Sequence, residues 1–229
     1  MWSENRVVAG ELRAVIEEAG RALTVLESAI RSHPFLAQLE RGSVGEERLR
    51  AFAGEQYRIL LSDRRSFAQL AARFPEEPSG SFFLTMARGE GEALALLEVF
   101  AAALGLGADD LHGYEPQPRC QAYAAFVAWL ALNGSRLEVA LAFLLNLDAW
   151  GGNCGRMRRA LEDAYRLPAE ALGFFDFFAA PTGALRDQIG AVATAGLEAG
   201  DSPVAAQRAA RLLQAYELAF WDALAEPAS

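Results

Sequence analysis

The sequence predicts an all-α fold, a single-domain helical bundle. Apolar residues recur at helical spacing through almost every segment. No segment sustains the alternating pattern of a half-buried strand. Proline, glycine and capping residues fall between the apolar stretches, where helices begin and end. Of 229 residues, 52% are hydrophobic and 22% charged, so the chain can bury a large core. No internal repeat or linker divides it, and residues 1–229 are read as one domain.

The first helix is expected from about Ser3 to Ser32, with Val7, Leu12, Val15, Ile16, Ala19, Leu23, Leu26 and Ile30 inside. Pro34 breaks it. Phe35 to Leu39 forms a short turn of helix that ends at Gly42-Ser43. Ser43 is read as the cap of the next helix, whose first turn carries Glu46 and Glu47. Its stripe is Leu49, Phe52, Ala53, Leu60, Phe67 and Leu70, interrupted by Gln56 and Asp63. A third long helix spans about Gly80 to Leu104 and stops at Gly105. Asp109 to Pro118 is a loop with a single helical turn, and Cys120 to Leu132 is helical again.

Ser135 and Glu138 form a capping box. It opens the most apolar helix, Val139 to Leu147, which should lie at the centre of the bundle. Gly151-Gly152 falls inside the same helical pattern and implies a kink, close packing or room for a ligand. A charged continuation follows to Arg166, then an aromatic cluster from Phe174 to Phe178. A further helix runs from about Gly183 to Leu197, and Ser202-Pro203 starts the last one.

The net charge of −9, with no Lys/Arg cluster, argues against nucleic acid as a partner. No apolar run is long enough to span a membrane, and the N-terminus lacks a signal-peptide pattern. Cys120 and Cys154 have no metal-ligand spacing, so a cytoplasmic protein with reduced thiols is expected. His33 and His112 are the only histidines, and both are read as structural or exposed. No metal and no cofactor are expected, and neither a Walker motif, a dinucleotide fingerprint nor a nucleophile elbow occurs.

The chemistry points to polar side chains on apolar faces. Glu217 has Leu213, Phe220 and Trp221 as helical neighbours, and a carboxylate there must find partners or bind a proton. Gln56 is a buried amide needing both a donor and an acceptor. Asp63 is expected to pair with an arginine. Asn146 shares a face with Trp150.

Several segments together resemble the TenA/thiaminase II family. They are His33-Pro34-Phe35-Leu36 followed by Leu39 and Gly42, the stretch Phe52 to Leu60, the corner Asn133-Gly134-Ser135, and Tyr216 to Trp221. The resemblance implies a haem-oxygenase-like helical bundle with a pocket between helices, packed as a homo-oligomer, dimer or tetramer. Relatives bind a thiamin-type aminopyrimidine and release or deaminate it. Glu217 matches the family's pocket glutamate, and Tyr123 matches an aromatic that stacks on the ring. The chain departs elsewhere. The family's aspartate falls at Gln56, its cysteine nucleophile at Asn146, and two tyrosines at Trp150 and Ile59. A third tyrosine falls among Phe175 to Phe178, with Phe175 and Phe178 as candidates. Cys154 lies two helical turns beyond Asn146, too far to replace the cysteine.

Glu217 is thus the candidate catalytic residue. Gln56, Ile59, Tyr123, Asn146, Trp150, Phe175 and Phe178 are the candidate ligand-binding residues. The first functional expectation is a diverged relative that binds a small planar heteroaromatic metabolite, with or without slow hydrolysis. The alternatives are an authentic thiamin-salvage hydrolase using Glu217 and water, and a non-catalytic scaffold with a vestigial pocket. If the protein is an enzyme, it is a thiaminase II-type hydrolase without the cysteine nucleophile.

Overall fold

The protein, a computed structural model, is described for residues 2–226. Met1 and residues 227–229 of the expected domain lie outside the described residues. Ten α-helices follow one another, with no strand among the described residues. They are α1 (Trp2–Arg31), α2 (Pro34–Glu40), α3 (Glu46–Arg73), α4 (Ser79–Ala103) and α5 (Ala108–Gly113). Then come α6 (Pro118–Asn133), α7 (Arg136–Asp163), α8 (Gly173–Ala179), α9 (Gly183–Glu198) and α10 (Pro203–Ala225). A short 3-10 turn, Ala169–Leu172, leads into α8.

The termini of these helices follow local chemistry. His33 caps α2, its Nδ1 accepting the Phe35 amide at 3.3 Å, while Nε2 faces Asp222 Oδ1 at 3.1 Å. Ser135 accepts the Glu138 amide, and Glu138 accepts the Ser135 amide in return. Gly105, at φ +75°, ends α4 in the left-handed region that favours glycine. Ser202 caps α10 ahead of Pro203. One expected cap is displaced. Gly45 is the N-cap of α3, because the Ser43 hydroxyl is spent on the Gln38 carbonyl at 2.9 Å. Val7 is also displaced from its expected place inside; it is exposed, at the outer end of α1.

The most extensive packing joins α3 to α4 and α7 to α10. Helix α7 lies centrally, touching α1, α2, α8, α9 and α10, as its apolar circumference requires. The core divides into two apolar clusters stacked along the bundle. One holds Phe67 and Leu70 of α3, Phe82 and Phe83 of α4, Leu137 to Leu144 of α7, and Ala206 to Leu213 of α10. The other holds Leu49 to Leu60, Ala93 to Ala101, Ala149 to Leu161, and Phe220 to Leu224 on the same helices. Polar residues interrupt each helix at the junction, among them Asp63, Glu90, Asn146 and Glu217. That repeated interruption marks a polar layer at mid-height, and it positions the site.

Candidate functional site

A cavity of about 330 Å³ opens in this layer. Its lining includes Gln56, Ile59, Tyr123, Asn146, Trp150, Phe178 and Glu217. Phe175 is the exception among the candidates. Successive helical residues are rotated by about 100°, so α8 splits its rings between two directions. Phe174 and Phe175 turn into the core, with Phe175 stacked on Phe52 at 5.7 Å and edge-on to Phe100 at 5.0 Å. Phe177 and Phe178 face the cavity instead.

Glu217 is 2% exposed. Asn146 donates its Nδ2–H to Glu217 Oε2, and the Trp221 indole donates to Oε1 at 3.1 Å. Burial raises the carboxyl from 4.5 to about 7, opposed by these two hydrogen bonds and by the charge of Arg31. Trp221 is therefore more than an apolar neighbour; it supplies a donor from the same helix, one turn on.

The aromatic walls converge from four helices. Trp150 on α7 meets Phe178 edge-on at 5.7 Å and Trp221 at 5.8 Å. Phe220 lies 6.3 Å from Trp150, and Tyr123 of α6 packs against both apolar clusters. Gly151 explains how α8 reaches α7. A Cβ there would sit 2.8 Å from the Phe178 carbonyl oxygen, so only glycine permits the approach. Helix α7 runs without a break through Gly151 and Gly152. Close packing accounts for Gly151, whereas a Cβ on Gly152 would meet only the Arg31 guanidinium at an ordinary 3.5 Å.

Asp63 departs from its expected arginine pairing. It is 4% exposed, lines the cavity, and leaves Oδ1 buried without a hydrogen-bond partner. Burial raises its carboxyl from 3.8 to about 8. Its neighbours Arg64 and Arg65 point outward, since they follow it on the exposed side of α3. Glu90 of α4 also lines the cavity and is half-buried; burial and the Asp63 charge hold its carboxyl well above the ordinary range. Sequence reasoning singled out Asp63 but gave it an arginine partner, left Phe177 unresolved within the aromatic cluster, and missed Glu90 and Phe143 in the wall. The signal for Asp63 was its place seven residues after Gln56, two turns along one stripe.

The Tyr123 phenol is held well above its usual value, by burial first and then by Asp63, Glu217 and Glu90. Tyr123 and all three acids line the same cavity. Neither cysteine lines the cavity. Cys154 is fully buried, and burial reinforced by Glu217 strongly disfavours its thiolate. Among the described residues, no group of three or more His, Cys, Asp or Glu is placed to hold a metal ion.

Comparison with known proteins follows this geometry. A TenA homologue from P. horikoshii OT3 superposes with a TM-score of 0.76 at 19% identity, covering 92% of this chain and 97% of that one. A TenA homologue from Pyrococcus furiosus gives 0.73 at 19% identity, over 92% and 99% of the two chains. A domain of unknown function with a heme oxygenase-like fold from Shewanella denitrificans gives 0.73 at 13% identity, over 89% and 88%. A search of curated proteins by sequence found no match. These likenesses establish the haem-oxygenase-like fold. The TENA/THI-4/PQQC family model matches residues 21–171, and the chain belongs to that family.

Proposed function

We propose that the cavity binds a small planar heterocycle with a polar edge. The carrying observation is Glu217, a buried acid held by Asn146 and Trp221 where four aromatic helices leave open space. Flat rings can lie against Trp150, Phe178 and Tyr123, while Glu217, Asn146 and Gln56 offer acceptors and donors to the ring's edge. A thiamin-type pyrimidine has that outline.

A carboxyl raised to about 7 is also suited to take a proton from water at neutral pH. Any turnover then proceeds through water, since no thiol faces the cavity. Incubation with thiamin and aminopyrimidine analogues, following release of the pyrimidine product, tests both levels of the reading. Turnover lost in Glu217→Gln supports the hydrolase. A thermal shift without turnover supports binding alone. No shift across a broad heterocycle panel removes the reading and leaves a scaffold.

We also propose that the protein is cytoplasmic and, as the family resemblance implies, a homo-oligomer. Trp129 and Leu132 are exposed three residues apart on one side of α6 and are candidates for a subunit contact, which sedimentation velocity tests.

A further inference from the structure

We propose that Asp63 and Glu90 form a second binding point in this cavity, one that takes a protonated amine carried by the ligand. The inference rests on the pocket reading above and adds a charge requirement to it. Asp63 comes from α3 and Glu90 from α4, the two helices that pack most extensively. Both line the cavity. Asp63 is 4% exposed, and its Oδ1 has no hydrogen-bond partner. A buried carboxyl oxygen without a donor is costly, and a ligand that supplies one gains that energy back.

The surrounding charges decide what the donor must be. Tyr123 and Glu217 face the pair from α6 and α10, and neither is a cation. Arg64 lies outside, its guanidinium against Gly91 on the outer side of α4. Arg88 is the cation among the lining residues, and it is exposed at the rim and paired with Glu92 at 3.3 Å. Burial already keeps negative charge off these acids, so an anionic ligand would add a further uncompensated charge to the hollow. A metal ion lacks a suitable ligand cluster among the described residues. An ammonium group carries several donors and a positive charge, and it matches two adjacent acids.

Burial keeps a proton on the empty pair, as the raised Asp63 and Glu90 carboxyls indicate. Binding of an ammonium group favours the ionised pair, so one positive charge enters and a proton leaves to buffer. Glu217 and Asn146 remain free to hold the ring.

The test uses two probes on the whole protein, pyridin-3-ylmethylamine and pyridin-3-ylmethanol, which share a ring and differ in the arm. Isothermal titration at neutral pH should show the amine binding about ten- to a hundredfold tighter, the range for a charged hydrogen bond. Asp63→Asn and Glu90→Gln should each erase most of that preference, with the alcohol's affinity changed by less than about threefold. In buffers of different ionisation enthalpy, the wild type should release a proton with the amine, and Asp63→Asn should not. Thermal melts check folding, and both amide variants should melt no lower than wild type, because each removes a buried acid. Equal binding of amine and alcohol by the wild type overturns the subsite and leaves the heterocycle reading standing. A preference abolished by Glu217→Gln but kept in Asp63→Asn assigns the amine to Glu217 and also overturns it. Failure of both probes to bind overturns the subsite, and the broad heterocycle panel then decides whether the pocket reading stands.

Discussion

Glu217→Gln alters a charge and almost no volume, so its effect on stability can be worked from the site. Glu217 is 2% exposed, and burial lifts its carboxyl from 4.5 to about 7. Below 4.5 the group is protonated in both folded and unfolded chains, and its burial carries no charge penalty. Between 4.5 and about 7 the unfolded chain ionises while the folded one resists, so stability falls as pH rises. Above about 7 the folded state carries the full penalty, on the order of 3 kcal/mol. The amide has no such titration. It can still accept from Trp221 and meet Asn146 if that amide turns over. Glu217→Gln should therefore match wild type near pH 4.5 and exceed it by about 3 kcal/mol at pH 8, or about 6 to 12 °C in melting temperature. Asp63 and Glu90 also titrate upward of the ordinary range, so the wild-type curve alone mixes several groups. The difference between variant and wild type, measured by urea denaturation at closely spaced pH values, isolates Glu217. A difference that stays flat from pH 4.5 to 8 would refute the buried-charge argument.

Gly151→Ala should lower stability by about 1–3 kcal/mol despite the better helix propensity of alanine, because its methyl meets the Phe178 carbonyl oxygen at 2.8 Å; chemical denaturation measures it. Asn146→Ala removes a donor to Glu217, so the penalty should grow with pH and reach about 1–3 kcal/mol above neutrality. Denaturation at pH 5 and pH 8 reads that slope. Cys120 and Cys154 are fully buried, and burial pushes both thiols up. Native protein should resist alkylation by iodoacetamide at neutral pH and take up two equivalents only in denaturant, as mass spectrometry would show.

Helix ends were legible because their causes are local. Pro34, Gly105, the Ser135 and Glu138 box, and Ser202-Pro203 act through neighbouring backbone, and each stands where its chemistry puts it. Gly45 displaced Ser43 because the hydroxyl had a competing acceptor, the Gln38 carbonyl, which folds back from α2. The candidate site was legible in part where one helix fixes a side chain's direction. Periodicity put Gln56 and Glu217 on apolar faces and Asn146 beside Trp150, while the resemblance to the family is what marked Gln56, Asn146 and Trp150 as pocket positions. Asp63 was misread because the choice between an arginine and a hollow depends on what α4 presents, not on α3. Glu90 sits in the run Glu90-Gly91-Glu92, where a solvated face and a cavity face look alike in sequence. Phe175 and Phe178 could not be separated without the rotation of α8, which the Phe178 carbonyl fixes by resting on Gly151.

Glu217 and its indole donor stand four residues apart on α10. The pair comes into register when that one helix winds, whatever the remainder of the bundle does. The rings opposite it are delivered by α6, α7 and α8, and α7 also supplies Asn146, the acid's second donor. One grip on the acid is therefore local to α10, while the other shares a helix with the wall. Exchanging a ring on α6 or α8 leaves both donors in place, whereas a change along α7 reaches wall and grip together.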